Sequence, residues 1–429
     1  MPVRSLPVRP DLAQLKHQAK DLVKAIHAGD PAAIAELADH HPEPPDPAAV
    51  KLFDAQLALA RSYQATSWPR LVQAVQLVDA IWADDFEAVR DLVTRNPALI
   101  REPVLIRLDS NWGPPMTYAA NLGRNQIIRM LHGMGAKDLE SAGGRAALQG
   151  KTDTVHLIYE LAGKPSLDRW TLAGPAYTLS VEGTAVLFAL GARLIRPDGR
   201  VDSNTMEHLL GTDSRNPPAK HRILEMYVEH GFEPPDTPVM ALHRGRIDLL
   251  EAHLARDPQL LTRTFDIADI YPLAPACSRA PHTADLYTAQ GTPVHGTTLL
   301  HIAAYFDEVE IGGWLLDQGM DPDVPSAIDA DGFGGYTALF STVVSQRNFW
   351  VNYGKGQPDE ARFTRLLLEK GANPNTRASI RHRMEEGHGG GPLREYRDVT
   401  PMGWGEQFAG KIFVSGESLR LVEARGGGR

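Results

Sequence analysis

A chain of 429 residues that is 43% hydrophobic and 23% charged has the composition of a folded soluble protein, and its length calls for two or three domains or one long repeat array. A net charge of −9, with Lys and Arg scattered along the chain, offers little counterion release at a phosphate backbone, so nucleic acid is not an expected partner. The single cysteine, Cys277, excludes an intramolecular disulfide and a cysteine-rich metal centre and fits a reducing, cytoplasmic setting, while no apolar run has the length of a signal-peptide core or a membrane span.

At the N-terminus, Leu12, Leu15, Ala19, Leu22, Val23 and Ile26 recur at helical spacing, as do Val50, Phe53, Leu57 and Ala60 beyond the Pro-rich HPEPPDP. Two or three amphipathic helices are expected over residues 1–76. His40 and His41, just before the Pro-rich turn, read as solvated rather than metal-ligating.

From residue 77 the chain repeats a design. Short amphipathic runs end on glycine in IIRMLHGMGAKD, TVHLIYELAGKP, AVLFALGARL, ILEMYVEHGFEP, IGGWLLDQGMDPD and FTRLLLEKGANPN. These predict helix stops at Gly135, Gly163, Gly191, Gly231, Gly319 and Gly371, where a left-handed backbone suits a residue lacking Cβ. DFEAVRDLVTRNPAL and RIDLLEAHLARDPQL align without gaps and stop at Pro97 and Pro258 instead. A shorter first helix is expected in the better preserved units, at 114–124, 298–308, 337–347 and 400–410.

The unit TLLHIAAYFDEVEIGGWLLDQGMDPD resembles the ankyrin repeat. Thr298, Leu300, His301, Ala303, Ala304, Leu315, Leu316 and Gly319 match its Thr-Pro-Leu-His-x-Ala-Ala opening and Leu-Leu-x-x-Gly close. The resemblance implies an all-α fold, an ankyrin-repeat solenoid of about eight or nine repeats over 77–429. It is strongest at 296–376, looser at 111–136 and 399–424, and weakest at 165–265. Residues 1–76 then look like the helical N-terminal region of many bacterial ankyrin proteins, placed to cap the array. The resemblance also implies that His301 ties neighbouring turns together, and that the concave face recognises a partner protein without a cofactor.

Departures from the repeat are the expected seat of specificity. Insertions fall at 265–296, 348–360 and 381–398, and AIDADGFGGY extends a finger. The third insertion, rich in Gly and Arg, reads as flexible. Tyr271, Phe333, Tyr336, Phe349, Trp350 and Tyr353 are the candidate binding residues, because repeat packing does not require aromatics there. The alternative for them is a small core that pins the inserts down.

Asp269, His282 and His295 share the first insertion and are candidates for acid–base chemistry; the plainer reading is a covering loop with scattered polar residues. Asp321 and Asp323 read as turn residues rather than a calcium site, and Met206, Met226 and Met240 as core. No phosphate-binding loop, zinc helix motif or nucleophile elbow occurs, so neither metal nor cofactor is expected. The leading function is a scaffold that binds a partner protein. The alternative is an enzyme or small-molecule binder with its pocket between the inserts at 265–296 and 348–360 and the concave helices.

Overall fold

The computed structural model describes residues 4–105, 112–167, 172–212, 214–272, 291–345, 360–386 and 389–429. The chain divides into two compact units, Met1–Trp170 and Thr171–Arg429. Both are built from short helices, and the one sheet among the described residues has two strands.

In the first unit, Asp11 and Asp30 accept backbone N–H groups at the starts of Leu12–His27 and Pro31–His40, meeting donors a helix cannot satisfy itself. Leu15, Ala19, Leu22 and Ile26 form the buried stripe expected of the first helix. The third helix, Leu52–Ser62, is rotated from the expected face: Ala55, Ala58, Leu59 and Ser62 are buried, whereas Phe53 is 63% exposed. Small side chains let this helix lie close against Leu12–His27, so alanines and not Phe53 take the inner face. His41 is likewise not solvated; its side chain is buried with Asp54, whose carboxylate lies 3.4 Å from Nε2.

Paired helices follow. Trp68–Ala83, Pro115–Leu122 and Leu139–Leu148 pack in series, and each is followed by a second helix that packs back on it: Phe86–Arg95, Asn125–Gly133 and Thr152–Leu161. The turn inside each pair carries a left-handed residue, at Asp84, Gly123 and Gly150.

The second unit repeats the arrangement. Ala173–Thr178 pairs with Val181–Ala189, Pro238–His243 with Ile247–Arg256, Leu299–Phe306 with Val309–Asp317, Ala338–Val343 with Arg362–Glu369, and Pro401–Gln407 with Gly416–Ala424. Ser203–Leu210 packs on Ala173–Thr178, and Pro217–Glu229 on Val181–Ala189. Leu299–Phe306, Ala338–Val343 and Pro401–Gln407 stack in series, with their second helices stacked in a parallel row.

Every predicted glycine stop has the left-handed backbone: Gly135, Gly163, Gly191, Gly231, Gly319 and Gly371 all have φ between 76° and 100°. The two proline stops also match each other, since Pro97 and Pro258 each open a 3-10 turn. Leu315, Leu316, Leu367 and Leu368 are buried, with Leu366 half-buried. Met206, Met226 and Met240 are core.

The insertion at 381–398, expected to be flexible, is instead an antiparallel hairpin of β1 (Ala378–Glu386) and β2 (Gly389–Val399). It departs from an all-α fold for a local reason. Ile380 and His382 from β1, and Tyr396 from β2, are buried; the His382 ring meets Trp404 and Phe408, and the Tyr396 ring meets Trp404, at 4.8–5.9 Å. Period-two burial of this kind makes a strand the better solution.

Candidate functional site

The fingers carry most of the sequence-predicted residues the structure describes. Asp269 belongs to a capping box at the short helix Ile267–Ile270, where its carboxylate accepts the backbone N–H of Asp266 at 3.0 Å. His295 is exposed, with Nδ1 3.4 Å from Asp266. Both therefore meet around Asp266, in turn geometry and not in a pocket. His282, Phe349, Trp350 and Tyr353 lie outside the described residues.

Tyr271, Phe333 and Tyr336 are buried rather than presented to solvent. Tyr271 packs edge-on to Phe306. Phe333 is clasped between two guanidinium groups of the hairpin, Arg381 at 3.9 Å and Arg397 at 4.3 Å from its ring centre. Tyr336 donates its hydroxyl hydrogen to the Pro293 carbonyl at 2.7 Å, and burial pushes its pKa up. The two hairpin arginines cover Phe333, and the Tyr336 hydroxyl is tied to Pro293. Cation–π contact of this kind holds the finger to the hairpin.

His301 takes the tying role. Its Nε2 donates to the Tyr336 carbonyl at 2.8 Å, so Nδ1 bears the lone pair and accepts from Thr298 Oγ1 at 2.9 Å. Burial lowers its pKa to about 4, against the pull of the Tyr336 carbonyl. Thr117 does the same work in the first unit, where its backbone N–H and hydroxyl both donate to Asp138. Asp321 does ordinary turn chemistry, its carboxylate accepting the backbone N–H of Asp323 at 2.9 Å, whereas the Asp323 carboxylate accepts the backbone N–H of Asn373, 50 residues on, at 2.9 Å and so ties two fingers.

A buried polar cluster in the second unit was not predicted. Lys220, on Pro217–Glu229, points its Nζ at His243 Nδ1 (2.7 Å) and lies 3.9 Å from the centre of the Phe306 ring. His243 Nε2 faces the Ile270 carbonyl at 2.8 Å and must donate, which leaves Nδ1 as the acceptor for the lysine. His243 is thus neutral, and its pKa is driven well down by burial and by the adjacent Lys220. Burial also lowers Lys220 to about 7; Glu308 opposes the shift and Arg215 adds to it.

Arg215 closes the cluster by donating to the carbonyls of Tyr305 (2.6 Å) and Thr212 (2.8 Å) while its guanidinium lies over the Tyr305 ring. His221 bonds the buried Glu308 carboxylate at 3.0 Å. Its ring also rests on Gly245, where a Cβ would come within 2.2 Å of it. Gly245, with φ +66°, is therefore required twice over.

The cluster joins segments as far apart as Arg215 and Tyr305, 90 residues distant in sequence, so motif spacing could not reveal it. One cue was available: Lys220 lies on the same helical stripe as Ile223, Leu224 and Tyr227, where a lysine is out of place unless partnered. Chemically the arrangement holds an amine near neutrality against a neutral imidazole.

A recess of about 460 Å³ in the first unit is lined by Gln64, Ser67, Arg70, Gln73, Asn96 and Glu102, and its two charges are paired with each other, Arg70 Nε lying 2.5 Å from Glu102. Among the described residues no three His, Cys, Asp or Glu side chains are grouped to hold a metal, and no helix is long and apolar enough to cross a membrane.

Fold and site together define a mostly helical protein of stacked helix pairs, tied finger to finger by buried polar side chains. No known family model matches the chain, and no curated protein matches it. Among solved structures, the crystal structure of the human ASB11 ankyrin repeat domain is similar to it over 73% of this chain and 99% of that one, at 14% identity and a TM-score of 0.24. That likeness is too loose to define the fold, which rests on the chain's own helix pairs.

Proposed function

We propose that the chain is an ankyrin-type array, with residues 1–76 as its helical cap and 77–429 as its repeats, that recognises a partner protein through its first helices, fingers and C-terminal inserts. The observation that supports this reading is the recurring pair itself. A left-handed residue separates the helices, a positive-φ glycine ends the second, and polar ties such as Thr117–Asp138 and His301–Tyr336 run to the next finger. Consecutive fingers are also joined through backbone, as Ala327 donates to Gly296 and Gly334 pairs with Ser379. A stack held this way is a rigid platform, and rigid platforms present inserted loops for recognition.

Phe349, Trp350 and Tyr353 remain the proposed anchors of the 348–360 insert. The test is capture from native lysate with the full chain as bait, repeated with Trp350→Ala. A protein that binds the full chain and loses at least about thirtyfold in affinity on Trp350→Ala, at unchanged melting temperature, supports the reading. Capture lost only in step with stability would leave Trp350 a pinning residue.

The small-molecule alternative has one specific observation in its favour, the Lys220 amine held beside neutral His243. A metabolite that raises the melting temperature, is chemically altered, and is no longer turned over by Lys220→Met would favour it over the scaffold.

A further inference from the structure

Among the described guanidinium groups that are half-buried or more, most have an obvious partner. Arg70 has the Glu102 carboxylate, Arg244 has Glu225 at 2.8 and 3.1 Å, and Arg215 has backbone carbonyls. Arg145, on Leu139–Leu148 in the first unit, is different. Its Nε donates to Asn121 Oδ1 at 2.8 Å. The Asn121 amide is fixed for this role, because its Nδ2 donates to the Thr117 carbonyl at 3.0 Å and leaves the oxygen facing the arginine.

One face of the guanidinium lies over Trp112, 5.9 Å from the ring centre. Trp112 in turn stacks on Trp82 at 5.6 Å with 15° between the planes, and Tyr118 packs beside it at 5.2 Å. The two terminal amino groups of Arg145 meet neither a carboxylate nor a carbonyl among the described residues. Burial accordingly holds its pKa down, to about 10. The guanidinium is half-buried and its two terminal amino groups are left to solvent, so an oxyanion that takes the place of water there gains two charge-assisted bonds on a pre-oriented fork.

We propose that Arg145, oriented by Asn121 and backed by Trp112, is a binding site for a carboxylate. The planar fork matches a carboxylate through two parallel N–H···O bonds. One positive charge neutralises one negative charge, whereas a phosphate dianion would keep charge for which no second cation is shown beside Arg145 among the described residues. The carboxylate belongs either to a small molecule or to an acidic side chain of a peptide. The site lies in the first unit and does not depend on the partner-binding reading, because its test needs no partner.

The full chain is titrated with sodium acetate, with an acetylated peptide containing glutamates, and with sodium chloride at matched ionic strength. Tryptophan fluorescence and the NMR signal of the Arg145 Nε–H group are followed. A saturable response to acetate, absent with chloride, supports the site. Tighter binding of the peptide than of acetate assigns the carboxylate to a partner's side chain, and equal or weaker binding assigns it to a small molecule. Arg145→Gln should weaken acetate by about tenfold or more, since each bond to the charged fork is strong, whereas Arg129→Gln, on an exposed face, should not. Should Arg145→Gln fail to fold, Arg145→Lys keeps the charge without the fork and should also bind more weakly. Identical responses to acetate and chloride in the unaltered protein, or full binding by a folded Arg145→Gln, would overturn the proposal.

Discussion

Replacing Lys220 by Met tests the buried cluster through its pH dependence. An unfolded lysine titrates near 10.5 and the folded one near 7. Below pH 7 both states carry the proton and the folded state bears the whole cost of a buried charge. From pH 7 to 10.5 the folded state has released its proton while the unfolded state keeps it, so stability rises with pH across that window. At about 1.4 kcal/mol per pH unit the full rise is about 5 kcal/mol, of which about 3 kcal/mol falls between pH 7 and 9.5.

Met has a similar length and can rest its sulfur on Phe306. The variant leaves His243 Nδ1 without its donor, a cost of about 1–3 kcal/mol that does not vary over these pH values. Denaturant unfolding at constant ionic strength, repeated at half-unit steps from pH 7 to 9.5, should therefore give a rising curve for the unaltered protein and a flatter one for Lys220→Met. Other titrating groups are common to both and cancel in the difference. Parallel curves would refute the reasoning, because they would mean that Lys220 titrates alike in the folded and unfolded chains.

His301 gives the complementary acid-side result. Its folded pKa of about 4 lies below the ordinary 6.5, so the unfolded state binds more protons between those values and stability falls on acidification through them, by about 3 kcal/mol. His301→Gln should remove that share of the loss, read from the same denaturation series run from pH 7 to 4. Gly371→Val, at φ +91°, should destabilise the chain by at least about 1 kcal/mol, whereas Gly390→Val, paired with Glu385 in an extended strand, should be neutral by chemical denaturation. Equal effects of the two would remove the helix-stop assignment.

What the sequence determined by itself is what depends on neighbours along the chain. Glycine stops, proline stops and N-caps follow from backbone sterics within a few residues, which is why the left-handed backbone at Gly319 and Gly371 was legible from local sequence alone. His301 was legible only through the resemblance of its unit to the ankyrin signature, although one partner, Thr298, lies three residues before it. The same local reading put Phe53 on the wrong side of its helix, because a stripe of alanines packs more closely than helical spacing of large residues suggests.

The tertiary structure decided which polar and aromatic groups are hidden. Phe333 is sequestered by Arg381 and Arg397 from a hairpin that follows it by some fifty residues. Lys220, His243 and Glu308 converge only when three helix pairs stack. Burial and the electrostatics that follow from it are set by whatever covers a side chain, and in a stack of repeats the cover comes from elsewhere in the chain.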